Sequence, residues 1–90
     1  MEHVTHVVRN GSEWRIAVDL HNASGVPALM VRAKAVGGKS GDPIAPAFYD
    51  DNYIALMPGE RRTLKVTLDN ADTRGEQPAI KVEGFNLARP

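Results

Sequence analysis

Strict alternation of side-chain type from Trp14 to Leu20 constrains the fold more than any other feature of the sequence. Large apolar side chains occupy every second position, with small or charged side chains between them: Trp14, Ile16, Val18 and Leu20 against Arg15, Ala17 and Asp19. Successive side chains of a β-strand point to opposite faces, so this pattern predicts a strand with one buried face and one face in water. Because Trp14 is in phase with the apolar set, we predict that its indole lies in the core.

Other segments carry the same strand signals and are separated by turn residues. Besides residues 14–20, strands are predicted at 4–9, 29–36, 53–57, 63–69 and 79–85. Short strands, spaced turns and the lack of an amphipathic segment of helical length predict an all-β protein. The specific expectation is an immunoglobulin-like antiparallel β-sandwich of about six to seven strands.

The segment 29–36 fits two secondary structures. A helix over 27–36 would end at Gly37 and Gly38 after too few residues to be stable, so we favour a strand. The strand should have two opposite faces, one with Leu29, Val31, Ala33 and Ala35 and the other with Met30, Arg32, Lys34 and Val36.

The remaining segments are predicted to be turns and surface connections. Residues 37–46 are rich in Gly, Ser, Asp and Pro, so a surface connection is expected there, with at most a short edge strand near Ile44. Residues 70–78 are expected to form a polar loop. The triplets 10–12 and 22–24 both match the Asn-X-Ser acceptor pattern for glycosylation, but we interpret both as turns.

Size and charge exclude several classes of function. The 90 residues, 42% of them hydrophobic, should form a single domain over 1–90, with one modest core and little room for a buried catalytic cleft. Lys plus Arg and Asp plus Glu each number 11, so the formal net charge is zero and no positive field attracts polyanions. No segment approaches the roughly 18 apolar residues of a membrane-spanning helix. We therefore expect neither nucleic acid nor a membrane as a partner.

The absence of cysteine and the character of the N-terminus bear on cellular context. A chain with no cysteine has no disulfide framework and no thiolate metal site, which is still compatible with an exported bacterial protein. Met1 is followed at once by strand-like residues, without the basic and apolar regions of a signal peptide. We expect a domain excised from a larger multidomain protein, and a periplasmic or secreted location in a bacterium.

Residues 51–60 join a polar corner, a short apolar strand and a turn. Pro58 presets the dihedral angle of the second turn position, and Gly59 tolerates the positive φ of the third. A type II turn is therefore predicted at 57–60, with one strand ending before it and another beginning after it.

The order of residues in this segment resembles a domain of a known enzyme family. The motif combines an acidic residue, an amide, an aromatic residue, two hydrophobic residues and a Pro-Gly-Glu turn: Asp51, Asn52, Tyr53, Leu56, Met57, Pro58, Gly59 and Glu60. Gly84, Phe85 and Asn86 resemble the Gly-Trp-Asn ending of the same domain, with Phe85 in place of Trp. On these residues, the chain resembles the C-terminal immunoglobulin-like β-sandwich domain of family 2 glycoside hydrolases, in the β-mannosidase and exo-β-glucosaminidase branch.

The resemblance implies an accessory domain of a retaining glycosidase, whose two catalytic glutamates lie about 5 Å apart on a separate barrel domain. The glutamates of this chain fall on predicted turns or exposed strand faces, where nothing desolvates them enough to raise a pKa: Glu2, Glu13, Glu60, Glu76 and Glu83. We therefore expect no catalytic residue and no cofactor. The expected partners are the other domains of the same polypeptide.

Two clusters could be mistaken for metal sites. Asp50, Asp51 and Asn52 could ligate calcium, but the alternating oxygen spacing of a calcium loop is absent. We favour side chains that accept backbone N–H groups and so fix the corner. His3 and His6 are three residues apart and should point to opposite faces of a strand, which predicts surface histidines and no metal site.

Aromatic residues suggest an alternative function, a carbohydrate-binding module. Trp14, Tyr49, Tyr53 and Phe85 would then form a platform on which sugar rings stack. Tyr49 and Tyr53 flank the polar corner and are predicted to be the exposed pair, so they are the candidates for sugar contact, with carbohydrate as the partner. A cell-surface spacer domain without a ligand is a third hypothesis.

Overall fold

Seven β-strands and one short 3-10 helix make up the computed structural model, which describes residues 1–85 without the side chain of Phe85. The strands are β1 (Glu2–Asn10), β2 (Glu13–His21), β3 (Ala28–Gly37), β4 (Ala47–Tyr49), β5 (Ile54–Leu56), β6 (Arg61–Asp69) and β7 (Pro78–Phe85), and the 3-10 helix η1 (Asn70–Thr73) precedes β7. The predicted all-β class is confirmed. Across residues 1–85, no helix has the length and apolar character needed to cross a membrane.

Two antiparallel sheets form the sandwich. The four-stranded sheet has the order β1-β2-β6-β4, and the three-stranded sheet has the order β5-β3-β7. β2 pairs along its full length with β1 on one side and with β6 on the other. The β1–β2 hairpin closes through Gly11 and Ser12, and Gly11 has a φ of +65°, which glycine adopts without steric cost.

The core lies between the sheets and is built from alternate residues of the strands. The register places Ile16 opposite Val66 and Val18 opposite Leu64, so the apolar faces of β2 and β6 coincide. Core residues that are no more than 7% exposed come from both sheets: Ile16, Val18, Leu20, Leu64, Val66 and Leu68, and Ala28, Val31, Ala33, Ala35, Ile54 and Leu56. The period of two in the sequence therefore corresponds to one continuous buried layer.

Strand β3 departs from the predicted alternation at its N-terminal end. The register with β5 shifts between Ala28 and Val31, and Met30 has a φ of +54°. A β-bulge adds a residue to one strand and changes the phase of the side chains before it. Ala28 is therefore buried in place of Leu29, which is 41% exposed, so the prediction that Leu29 shares one face with Val31 and Ala35 is wrong. The helix considered over 27–36 does not form.

The connection after β3 covers the C-terminal end of that strand. Val36, predicted on the same face as Arg32 and Lys34, is 9% exposed and forms an isolated bridge with Pro43. Ile44 is 7% exposed and donates its N–H to the carbonyl of Ala35 at 3.0 Å. The edge strand predicted near Ile44 is thus reduced to a bridge, and β4 begins only at Ala47. Prolines on both sides of Ile44 remove the N–H groups that a longer strand would need.

The predicted polar loop 70–78 contains the 3-10 helix. Asp69 caps it by accepting the N–H of Ala71 at 2.8 Å, and the helix ends at Arg74, which has a φ of +55°. Thr73 is 3% exposed, and its hydroxyl donates to the carbonyl of Asn70. The connection between β6 and β7 is therefore folded back on itself by local hydrogen bonds.

Candidate functional site

The polar corner, residues 50–52, lies between β4 and β5 and binds the backbones of two other strands. Asp50 Oδ1 accepts the N–H of Lys65 on β6 at 2.7 Å, and Asp50 N donates to the carbonyl of the same lysine at 3.0 Å. Asn52 Oδ1 accepts the N–H of Ala33 on β3 at 2.9 Å. Because β6 and β3 belong to different sheets, the corner ties the two halves of the sandwich together.

Asp51 is engaged in the same way as its neighbours. One carboxylate oxygen accepts the N–H of Asn52 at 2.9 Å, and the other accepts from the guanidinium of Arg62 at 2.9 Å. Each side chain of the corner therefore accepts at least one N–H group, as in the interpretation favoured over a calcium loop. In the described part of the chain, no three His, Cys, Asp or Glu side chains come together as a metal site would require.

Tyr49, one of the two predicted sugar contacts, is turned into the sandwich. Its half-buried ring packs against the core, and its hydroxyl accepts the N–H of Ala35 at 3.0 Å. Asn52 accepts the N–H of Ala33 on the same strand. Where β3 extends beyond the short β5, two of its backbone N–H groups therefore donate to side chains and not to a neighbouring strand. An open edge of this kind would be a template for another strand. The prediction that Tyr49 and Tyr53 form an exposed pair is therefore wrong for Tyr49.

Tyr53 is exposed, as predicted, but its ring is not free on both faces. The side chain is 56% exposed, and the backbone has a φ of +57°. The guanidinium of Arg32 lies 5.4 Å from the ring centroid and donates to the phenolic oxygen at 3.0 Å. A sugar ring could therefore stack only on the other face.

The remaining aromatic residues lie elsewhere. Trp14 is half-buried at the edge of the core, where its Nε1 donates to Asn70 Oδ1 at 2.9 Å and Arg9 lies over the ring. Phe48, which sequence reasoning did not single out, is 70% exposed on β4. The side chain of Phe85 and the whole of Asn86 lie outside the described residues. The described members of the predicted aromatic platform do not share one surface.

The predicted type II turn is present at 57–60. Glu60 N donates to the carbonyl of Met57 at 3.0 Å, and Gly59 has a φ of +81°. The carboxylate of Glu60 accepts the N–H of Met57 at 2.9 Å, which closes the turn a second time. A Cβ on Gly59 would meet no atom within 4 Å, so the need for glycine comes from its φ alone.

Asn22 is the polar centre of this end of the molecule. It is 1% exposed, and its Nδ2 donates to the carbonyls of Val26 and Leu56 at 2.8 and 2.9 Å. Its Oδ1 accepts from the N–H and the hydroxyl of Ser24 at 3.1 and 2.7 Å. Its carbonyl accepts the N–H of Gly59 at 2.7 Å. One side chain and its backbone thus join the loop after β2 to β5 and to the type II turn.

The burial of Asn22 also decides the meaning of the two acceptor triplets. Both amide atoms of Asn22 are bonded inside the fold, so the folded domain offers no free amide for a glycan there. Asn10, in the other triplet, is exposed beside the β1–β2 hairpin. Sequence reasoning missed the role of Asn22: Asn followed by Ser two residues later signals a local turn, but the bond to Leu56 spans 34 residues.

The histidines lie apart, as their spacing predicts. His3 is opposite Leu20, whose side chain is buried, whereas His6 is opposite Ala17 in the other phase of the strand. His6 Nε2 lies 3.2 Å from a carboxylate oxygen of Asp19 on the outer face of the four-stranded sheet. These positions leave no shared point at which one metal ion could bind both imidazoles.

The acidic side chains have surface partners, and two of them have shifted pKa values. The glutamate contacts are Glu2 with His21, Glu13 with Arg15, Glu60 with Met57, Glu76 with Lys39 and Ser40, and Glu83 with Lys81. Hydrogen bonds from the backbone N–H and then the hydroxyl of Ser40 lower the pKa of Glu76. The Thr63 hydroxyl, at 2.6 Å, likewise lowers the pKa of Asp19. Both shifts are opposite to the raised pKa that a general acid needs.

Comparison with known proteins shows to which family this domain belongs. A profile described as the exo-β-D-glucosaminidase Ig-fold domain matches residues 1–87. The chain belongs to this family of Ig-fold domains. The solved structure of exo-chitosanase CsxA from Amycolatopsis orientalis superimposes on it with a TM-score of 0.89 at 32% identity, over 94% of this chain and 10% of that chain.

Curated relatives agree with the profile. The exo-β-D-glucosaminidase of Amycolatopsis orientalis is 38% identical over 71 residues, which are 77% of this chain and 7% of the relative. That of Arthroderma benhamiae is 35% identical over 72 residues, 80% of this chain and 8% of the relative. The chain thus spans a small fraction of the length of these relatives, between 7% and 10% of it.

The matches confirm the predicted family resemblance and the immunoglobulin-like fold. They also restrict the predicted enzyme branch and the predicted source. The relatives carry the exo-β-D-glucosaminidase name, so the Ig-fold family lies on that side of the predicted branch, and the β-mannosidase alternative has no support among them. Fungal proteins are among the relatives, so the expectation of a bacterial source is only partly supported.

Proposed function

We propose that this chain is a non-catalytic accessory domain of a multidomain exo-β-glucosaminidase, a retaining glycosidase, and that it packs against other domains of the same polypeptide. The proposal rests on the length of this chain compared with the length of its relatives. Residues 1–87 fit one Ig-fold profile, whereas the chain matches only 7% to 10% of each relative. We take residues 1–90 as one unit of such an enzyme.

The arrangement of carboxyl groups supports a role without catalysis. A retaining glycosidase needs two carboxyl groups about 5 to 5.5 Å apart, one of them sheltered enough to carry a proton near neutral pH. Among residues 1–85, Glu60 closes a turn, Glu76 binds a loop backbone and Asp19 accepts from Thr63. Each of these groups is occupied in holding the fold together.

Carboxyl-to-amide substitutions in the full-length polypeptide test the proposal. We expect Glu13→Gln, Glu76→Gln and Glu83→Gln each to leave kcat for a chromogenic β-D-glucosaminide within about twofold of the parent, since none touches the reacting sugar. A loss of about 1,000-fold or more in one variant, with the folded fraction unchanged, is the behaviour of a catalytic carboxylate and would contradict the proposal. The 90-residue chain by itself should release no chromophore.

A carbohydrate-binding module is the second candidate, and the 56% exposure of Tyr53 is the observation that favours it. Arg32 covers one face of that ring, and Tyr49 is withdrawn into the sandwich, so a single half-covered ring remains. Titration with glucosamine oligosaccharides distinguishes the candidates. Saturable binding that Tyr53→Ala abolishes would support the module, whereas the accessory domain should show none.

A further inference from the structure

One end of the three-stranded sheet exposes a group of large apolar side chains, which we call the apolar end patch. Its members are each between 41% and 56% exposed: Val26, Leu29, Met30, Tyr53 and Met57. Large apolar side chains exposed singly are normal on a protein surface, whereas a contiguous group marks an interaction site. The five residues would form such a site only if they lie next to one another.

The strand register and the bonds of Asn22 place the backbone segments that carry the patch side by side. Ala28 pairs with Leu56 and Val31 with Ile54, so the bulge between them lies directly beside β5. Asn22 Nδ2 bridges the carbonyls of Val26 and Leu56, which brings the loop before β3 next to the residue before Met57. Tyr53 precedes β5 at its other end.

The backbone adopts unfavourable conformations at two members of the patch. Met30 and Tyr53 have φ values of +54° and +57°, and the other described non-glycine residue with positive φ is Arg74 at the end of η1. The left-handed region is disfavoured for such residues, and strain of this kind concentrates at functional sites. An unbulged β3 would bury Leu29, so the bulge is what turns consecutive apolar residues outward.

The outer face of the four-stranded sheet provides the contrast. Its exposed apolar residues are separated by polar rows: Val4 is opposite Asp19, and Val8 is opposite Arg15. Phe48 is exposed on β4, with Thr67 as its ladder partner. The apolar side chains of that face are dispersed, so the apolar end patch is the stronger candidate for a contact surface.

We propose that the apolar end patch is the surface through which this domain docks onto another folded domain of the same polypeptide. This inference rests on the proposed accessory function and adds to it the face that makes the contact. Aliphatic and methionine side chains with a charged rim, here Arg32 and the Asp51–Arg62 pair, have the composition of a protein–protein interface. A sugar would instead need open aromatic faces.

The length of the relatives identifies the occupant as the rest of the polypeptide. The matched region is 7% of one relative and 10% of another, so nine-tenths or more of such a chain lies outside it. Tethering to that remainder gives the patch a high effective concentration of partner surface. A second copy of the chain would have to compete with a partner that is always present.

Hydroxyl-radical footprinting of the full-length polypeptide tests the proposal, with side-chain reactivity compared between native and denatured protein. We expect Met30, Tyr53 and Met57 to react at least about fivefold more slowly in the native protein than their half-exposed state allows, because an interface core excludes water. Phe48 should keep the reactivity of an exposed ring. Native reactivity of the three patch residues equal to that of half-exposed side chains would overturn the proposal.

The pattern of protection separates failure of this inference from failure of the proposed function. Protection of Phe48 with an open patch would mean that the domain docks through its other face, so the inference fails and the accessory function stands. Exposure of both faces would overturn both. Patch protection that appears only at high protein concentration, or only with added glucosamine oligosaccharide, identifies a second copy or a sugar as the occupant and also overturns the inference.

A matched pair of variants in the full-length polypeptide gives an independent test. Met30→Lys places a charge in the patch, and Phe48→Lys places one on the opposite sheet at a more exposed position. We expect Met30→Lys to accelerate proteolytic release of the domain at least about tenfold, because an unpaired charge is costly in an interface core. Phe48→Lys should leave the rate unchanged. Equal rates for the two variants and the parent would contradict docking through the patch.

Discussion

The two ends of strand β3 differ in the groups that they expose. At the C-terminal end, Asn52 and Tyr49 bind the N–H groups of Ala33 and Ala35, so polar side chains close the strand edge. At the N-terminal end, the polar bonds are gathered beneath the surface at Asn22, while the bulge turns apolar side chains outward. One strand therefore carries both a sealed edge and an open apolar face.

The difference shows how a small β-sandwich can avoid indiscriminate pairing and still offer a contact surface. An open edge accepts any extended segment, because backbone hydrogen bonds carry little sequence information. An apolar face selects its partner by shape and charge at the rim. A domain that packs against its neighbours, as proposed for this chain, benefits from losing the first kind of contact and keeping the second.

Asn22→Ala should produce the largest effect, at the N-terminal end of β3. It leaves the carbonyls of Val26 and Leu56 without the amide donor in a buried place. We expect a loss of about 2 to 4 kcal/mol in the free energy of unfolding, measured by urea denaturation. The control is Asn10→Ala in the exposed triplet, which should change stability by less than about 0.5 kcal/mol. Equal effects would show that Asn22 is not the centre of that end.

Gly59→Val tests the turn that Asn22 holds. The φ of +81° at Gly59 is one that a β-branched residue resists, so we expect a loss of about 1 to 3 kcal/mol although space for the side chain exists. Gly25→Val is the control, because an added Cβ there also meets no atom within 4 Å and its φ is not in the left-handed region. A melting temperature unchanged by Gly59→Val would exclude the type II geometry.

Tyr49→Phe tests the sealed end of β3 and has a matched partner in Tyr53→Phe. Removing the Tyr49 hydroxyl leaves the N–H of Ala35 without its acceptor, which should cost about 1 kcal/mol. The hydroxyl of the exposed Tyr53 accepts from Arg32 at the surface, so its removal should cost less than about 0.5 kcal/mol. If thermal denaturation shows the reverse order, the edge of β3 is not closed by Tyr49.

Glu76 makes a smaller, pH-dependent contribution near the C-terminal end of β3. Its carboxylate accepts from Lys39 and Ser40, and its pKa is lowered in the folded state. A lowered folded pKa contributes stability that is complete above the unfolded pKa of about 4.3 and is lost as pH falls through the folded pKa. We expect Glu76→Gln to lower the melting temperature at pH 7 and this difference to shrink below about pH 4. A difference independent of pH would contradict the proposed linkage.

Elements with local causes are predictable from the amino-acid sequence alone. Alternation over 14–20 and 63–69 predicts β2 and β6, and the in-phase apolar residues of both are buried apart from Trp14, which is half-buried at the edge of the core. Pro58 and Gly59 predict the type II turn, because both dihedral preferences belong to the residues themselves. The motif around that turn also carried the resemblance that the family comparison confirms.

Features that depend on distant partners could not be predicted in this way, because they form only when the strands pack together. Leu29 is exposed because the registers of β5 and β7 on β3 impose a bulge, and no neighbour of Leu29 in sequence signals it. Asn22 is buried because its amide reaches a carbonyl 34 residues away, and Tyr49 turns inward to reach the N–H of Ala35. Local pattern reports the conformational preference of a segment, whereas the side of a sheet that becomes buried depends on which strand packs against it.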